Sequence, residues 1–386
     1  MKFWEIERLN VDRSSLVDDV LDLEEKYYSK YSLRPYNVSH WNPSDEFRNI
    51  IMQNTMLPHV ENITDYYIST DISYKESVLL KLGYLTSNKS CLITPTGSIS
   101  ILCAINWLQH VGITSVNIIT PCYYTIPYHF IKSNISVNYI YARFVGDKLS
   151  VNEDDVNKIC SSQAIWITNP LFSAGIELDH GLKIALKQAV ESGAYVISDE
   201  CLSFLGNELG RSIGNAKRFM GIHCPHKVIS TNGIKFSVVV FDRQCQDFFE
   251  VWADILYGSL LHSNIVAINQ FITSDFDVLI NTARIKYCET LNYLNKLTDE
   301  HRCKCSASLQ PHANYVCLRF PFIDASRGLD TDFMWELIKN TGASIIPGNR
   351  YLFHPDDGFL FRVNLGRDCI RFRASVTKIV KHLCSI

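Results

Sequence analysis

The residue with the most chemistry open to it is Lys227, in the run Lys227-Val-Ile-Ser-Thr-Asn-Gly233-Ile-Lys235-Phe-Ser237. A lysine amine that is partly desolvated and set among other charges loses its proton readily and attacks carbonyl carbon. Standing alone, a lysine is nearly always a solvated surface group. This one has company. Upstream, in order, come Thr96-Gly97-Ser98-Ile99, Pro121-Cys122-Tyr123, Asn169-Pro-Leu-Phe-Ser-Ala-Gly175 and Ser198-Asp199-Glu200, each at an expected strand end or turn. Thr96 to Ile99 follows a strand and opens a helix, so its free N–H groups and the positive helix end face an anion. Such a segment on its own is often just a cap. Asp199 closes the apolar run Tyr-Val-Ile-Ser, where it either serves a bound group or caps the next helix. Tyr123 offers a flat ring face, or packs as a core tyrosine. Near the C-terminus, Arg362 in Phe-Arg-Val-Asn-Leu-Gly366 has the fork that pairs a carboxylate bidentately. Arg371 and Arg373 compete with it, but they fall in the final helix, where solvent-facing charges are expected. Lys235 is likewise the rival amine to Lys227.

These residues need a frame, and the apolar pattern supplies one. From about Lys89 to Phe241 short apolar strands alternate with amphipathic helices, which predicts a mostly parallel sheet covered by helices. The expected strands are Ser90–Ile93, Val116–Ile119, Val137–Tyr141, Ala164–Thr168, Tyr195–Ser198, Lys227–Ser230 and Ser237–Asp242. Helices are expected over Ser98–Val111 and over Asp179–Ser192, the latter stopping at Gly193. Beyond Asp242 the pattern becomes helical over Gln246–Leu261, Ile265–Ile272 and Ser274–Thr298. A second set of elements follows: strands at Tyr315–Phe320, Ser344–Pro347 and Phe359–Leu365, a helix at Asp332–Thr341, and a last helix with Cys369, Phe372, Val376, Ile379 and Leu383 on one face. The division predicted is 1–50 as an N-terminal helix (Ser15–Tyr31) and arm, 51–272 as a large domain, and 273–386 as a small C-terminal domain.

Composition narrows the class. A chain of 386 residues usually divides its core in two. Its 47% hydrophobic and 20% charged residues are those of an ordinary globular enzyme. A net charge of -3 without a basic run argues against nucleic acid as a partner. The 13 cysteines are scattered singly through apolar runs, apart from Cys303-Lys-Cys305, which has no second pair or histidine to complete a metal set. Reduced thiols and a cytoplasmic location are expected, with no metal. No apolar run approaches the roughly 20 residues that span a bilayer.

The ordered segments resemble the fold-type-I pyridoxal phosphate (PLP) enzymes, the family that includes the class I/II aminotransferases, from about Ser87 to the C-terminus. The resemblance implies an aspartate-aminotransferase-like fold: a three-layer α/β/α large domain with a mostly parallel sheet, plus a smaller α+β C-terminal domain. It implies PLP as cofactor, Lys227 as the Schiff-base lysine, Asp199 on the pyridine nitrogen, and Tyr123 over the ring. Gly97, Ser98, Ile99, Cys224 and Lys235 would surround the phosphate, with Gly233 giving the tight turn the phosphate needs. Asn169, retained at the start of the loop that serves the phenolic oxygen, would swing in to bind the cofactor there. Arg362 matches the arginine that holds the substrate carboxylate. A homodimer is also implied, with the arm that carries Tyr36, Trp41 and Pro43 reaching into a pocket lined by residues such as Asn37 and Ser39.

The chain departs from that pattern at five positions. Phe172 replaces the loop asparagine that bonds the phenolic oxygen, and Leu202 replaces the tyrosine that also does so. Lys235 stands for an arginine and keeps the charge without the fork. Cys224 stands for a serine, so the cup would either hold phosphate less tightly or take help from another residue, Tyr66 or Tyr67 of the partner subunit. His226, before the lysine, is either an added acid/base group or a packing residue. The expected activity is conversion of an α-amino acid through an external aldimine and quinonoid, transamination first. A cyclase, β/γ-lyase or oxidase of biosynthesis stands close behind. A non-catalytic binding module on the same fold is the reading of a different class.

Overall fold

The structure, a computed structural model, describes residues 18–53, 74–146, 148–204, 208–301, 304–305 and 312–386. Seven strands form the central sheet: β1 (Lys89–Thr94), β2 (Ser115–Thr120), β3 (Ser136–Tyr141), β4 (Ala164–Thr168), β5 (Tyr195–Glu200), β6 (Phe219–His223) and β7 (Ser237–Asp242). Their order is β1-β7-β6-β5-β4-β2-β3, parallel throughout except for β7, which runs antiparallel to both neighbours. The strands read as continuous apolar runs because both faces of the sheet are covered. Alternate residues feed two cores. Ile165 and Ile167 of β4 join Leu182, Ala185 and Leu186 of the helix His180–Glu191 on one face. Ala164 and Trp166 join Ile101, Ala104, Ile105 and Leu108 of the helix Gly97–His110 on the other.

Local chemistry sets the ends of these helices. Thr96 caps the Gly97–His110 helix by accepting the Ile99 N–H at 3.4 Å, and Asp179 caps the next by accepting the Leu182 N–H at 2.7 Å. Gly193 follows the latter helix at φ +99°, which only glycine adopts freely.

One expected strand is wrong. Lys227–Ser230 is not in the sheet; β6 lies earlier, at Phe219–His223, and Pro225 opens a 3-10 turn that ends at Lys227. The sequence misled because Lys227–Ser230 is apolar and buried at Val228 and Ile229, although those side chains pack in a loop. Ser344–Pro347 divides into two short pairings, and the helix from Gln246 ends at Leu256, well before Leu261.

Beyond the sheet, the long helix Asp275–His301 leads to a second, four-stranded sheet. Its central strands, β8 (Tyr315–Phe320) and β9 (Phe359–Asn364), pair antiparallel. Tyr36–Asn37 pairs in parallel with Ala343–Ser344, and Asn364 of β9 bonds Val38 and His40, so the arm is tied to this sheet. Gly175, in the loop after β4, presses on β8. At φ +67°, a Cβ there would stand 2.1 Å from the Tyr315 carbonyl oxygen, so the close approach requires glycine.

Candidate functional site

A cavity of about 310 Å³ opens at the carboxyl ends of β4 and β5, the edge where open α/β sheets bind ligands. Lys227 reaches it from the 3-10 turn after β6, its carbonyl held by Asn314 Nδ2 at 3.1 Å. Its amine points at the start of the Gly97 helix: a Cβ on Gly97 would lie 3.3 Å from Nζ and 3.4 Å from Cys201 Sγ. Bare backbone at Gly97 is what lets the amine stand there.

The electrostatics correct one expectation. Burial works against a charge on Lys227, but the negative charge it faces outweighs burial and holds the ammonium above the ordinary lysine range. Burial also raises the Cys201 and Cys224 thiols, so near neutrality they carry no charge. Asp199 is therefore the anion that faces the amine. Burial pushes its carboxyl up, while Lys227 and the Cys201 N–H, at 3.2 Å from Oδ1, pull it down. The amine does not lose its proton readily here, because the charge it sits beside is negative.

Of the residues singled out in the sequence, Gly97, Ser98, Tyr123, Asp199, Lys227 and Lys235 line this one cavity. Tyr123 meets Trp41 edge-on at 6.4 Å and tilts against Phe172 at 5.7 Å. Ile99 is not on the wall, and its N–H is taken by Thr96. Cys224 lies behind the wall, its thiol donating to the Phe236 carbonyl oxygen at 3.3 Å and facing the Gly97 amide. Asn169 is buried behind the floor with Nδ2 donating to Glu200 Oε1 at 3.5 Å. Phe172 and Leu202 do line the cavity, so where the two donors are missing the wall is apolar. Gly233 has negative φ and open space around it; Ser230, at φ +58°, is the left-handed residue of that loop. Tyr66 and Tyr67 lie outside the described residues.

His226 is a packing residue. It is fully buried between Phe236 and Phe276, with Nε2 3.3 Å from Gln270 Oε1, and burial pulls its pKa down to about 4.

Arg362, on β9, is 1% exposed and stacks on Trp41, Tyr315 and Tyr351 at 3.7, 4.7 and 5.1 Å. Nη2 donates to the Ser39 carbonyl oxygen at 2.5 Å, whereas Nε and Nη1 are buried with no partner among the described residues. Asn37 and Ser39 do not line the cavity: Asn37 bonds Glu24 at 2.8 Å, and Ser39 is consumed by Arg362 and Ile346. Trp41 and Asn42 of the same arm line it instead.

The cavity also takes in Thr168, Cys201, Asn232, Asn314 and Tyr315, none of which the sequence singled out. No periodicity or spacing marks them, because strand pairing and the docking of β8 bring them there. Behind the floor lies a buried polar chain. Tyr84 OH is 2.9 Å from His223 Nε2, His223 Nδ1 is 3.7 Å from Glu200 Oε2, and Ser198 Oγ donates to Glu200 Oε1 at 2.9 Å. Burial pushes Glu200 up to about 7 and pulls His223 down to about 3.

No protein-family model and no curated protein sequence matches the chain. Solved structures do. An aspartate aminotransferase from Thermotoga maritima is 15% identical with a TM-score of 0.76, covering 97% of this chain and 99% of its own. N-succinyldiaminopimelate aminotransferase from Mycobacterium tuberculosis is 15% identical at 0.75, covering 98% of each chain. Bna3p, a putative kynurenine aminotransferase from Saccharomyces cerevisiae, is 13% identical at 0.75, covering 97% of each. Likeness of that extent at such low identity establishes the fold: the chain has the aspartate-aminotransferase fold.

Proposed function

We propose that the protein is a PLP-dependent enzyme acting on an α-amino acid, an aminotransferase in its simplest form. One observation carries this reading: a single cavity joins the Lys227 amine, the Asp199 carboxylate, a helix start at Gly97 and the ring of Tyr123. The fit to the cofactor rests on orphaned or bare positions. Gly97 leaves room beside the amine; for the substrate, the buried Nε and Nη1 of Arg362, behind the cavity's aromatic wall, have no acceptor among the described residues.

PLP, when bound, supplies an electron sink for the charge left as a bond to the α-carbon breaks. The residues around it have the remaining roles. Lys227, as its neutral amine, would form the covalent link and afterwards carry the α-proton. Asp199 would keep the ring nitrogen protonated. The amides of Gly97 and Ser98, at a positive helix end, and the charge of Lys235 would hold the phosphate. Tyr123 would offer its ring face to the cofactor. Arg362 would take the substrate carboxylate, for which its fork is shaped.

The apolar wall at Phe172 and Leu202 favours a second reading on the same site: a specialised cyclase, β/γ-lyase or oxidase of a biosynthetic pathway. Purified protein supplied with PLP and single amino acids decides between them. Keto acid released beyond one per site only when a keto-acid co-substrate is present is the transaminase result. Ammonia without such a co-substrate, or peroxide, gives the second reading. A protein whose absorbance no amino acid alters is a binding module and contradicts both. The proposal includes a homodimer in the cytoplasm with no nucleic-acid or membrane partner; among the described residues no helix is long and apolar enough to cross a membrane.

A further inference from the structure

β4 ends in Thr168, which lines the cavity and is 1% exposed. Its hydroxyl is buried with no hydrogen-bond partner among the described residues. Leaving such a group unpaired is costly, and strand-end threonines ordinarily find a nearby backbone acceptor. Thr168 pairs in register with Asp199, one strand away. Registered residues of parallel neighbours project to the same face, so the two side chains leave the sheet together about 4.8 Å apart. That face is the one that buries Trp166 and Ile197.

The strand order then fixes what stands on each side of Asp199. β1, which leads into Gly97 and Ser98, lies on one side of β5, and β4 with Thr168 lies on the other. On a PLP ring the phosphate arm and the phenolic oxygen sit on opposite sides of the axis through the nitrogen. With the nitrogen at Asp199 and the arm toward Gly97, the oxygen would face the β4 side. The two other wall residues near that task, Phe172 and Leu202, have no donor to offer. Asn169, the loop's remaining amide, is turned to Glu200 behind the floor.

We propose that Thr168 donates the hydrogen bond to the cofactor's phenolic oxygen, taking the place of the two donors the chain lacks. This rests on the cavity being the PLP site. A donor there stabilises negative charge on the oxygen, so its loss makes the lysine-linked chromophore hold its proton to higher pH.

The test compares Thr168→Val, which removes the hydroxyl and keeps the branched shape, with Thr168→Ser, which keeps the hydroxyl. Each protein is loaded with PLP, the chromophore's absorbance is titrated against pH, and cofactor affinity is measured by equilibrium titration. In the valine variant the midpoint of the colour change rises by about half to one pH unit and affinity falls about three- to tenfold. The serine variant matches the parent in both, and all three proteins are folded by circular dichroism. A valine variant with unmoved midpoint and affinity overturns this assignment alone. A parent that takes up no PLP overturns it together with the cofactor reading.

Discussion

Arg362 carries two buried donors that meet no acceptor among the described residues, in a cage of Trp41, Tyr315 and Tyr351 rings. A guanidinium so placed is costly to the fold unless its positive charge is used, and the faces of three rings make up only part of the cost. The account therefore expects Arg362→Lys to leave the cofactor's absorbance as it is and to raise the KM for the amino acid about 10- to 100-fold, the worth of a charge-assisted bidentate pair. Steady-state kinetics alongside an absorbance spectrum read both quantities. An unchanged KM would move the carboxylate site elsewhere. Trp41 is the residue that connects this cage to the cavity, since it both stacks on Arg362 and lines the wall. Lysine lacks the planar face that stacks on it, which is the further reason the exchange is not conservative.

At the scale of elements, the carboxyl ends of β4 and β5 line the cavity, and a buried polar chain lies behind them. Glu200, the last residue of β5, is raised by burial from 4.5 to about 7. An acid with a raised folded-state pKa favours the fold while protonated, so its contribution is present below about pH 4.5 and is lost as pH rises toward 7. Its neighbour His223, lowered from 6.5 to about 3, acts in the opposite sense and weakens the fold as pH falls. Glu200→Gln removes the first effect alone. Its thermal stability relative to the parent should grow by about 1–3 kcal/mol between pH 4.5 and 7, measured by melting at several pH values. Gly175 offers a second check. Gly175→Ala would drive a methyl group into the Tyr315 carbonyl at a positive φ, and should cost about 1–3 kcal/mol in the same assay.

The element scale also explains what the sequence could and could not reveal. Six of the seven expected sheet strands are in place because continuous apolar runs such as Ala164–Thr168 can only be buried on two faces. The error at Lys227–Ser230 arose where a loop is as apolar as a strand. Asp199, Gly97 and Lys227 were legible as neighbours: their types and order marked them, and they line one cavity. Thr168, Asn314 and Tyr315 were not legible. Their place on the wall depends on register with Asp199 and on β8 docking against Gly175, which no local pattern encodes.

On the scale of the whole molecule, the site lies where the central sheet, the arm and the C-terminal sheet meet: β4 and β5 supply one wall, Trp41 and Asn42 another, and Asn314 and Tyr315 the third. The proposed homodimer predicts a sedimenting mass of twice the 44.1 kDa chain. A monomer that nonetheless turns over amino acids would contradict that part of the account. The central claim, that Lys227 is the residue joined to PLP, has a more direct test. The protein is incubated with PLP, the covalent link is fixed with borohydride, and the digested chain is mapped by mass spectrometry. The account predicts a pyridoxyl group on the peptide bearing Lys227, and none at all in Lys227→Ala. A label on Lys235 instead, or an unlabelled parent, would contradict it.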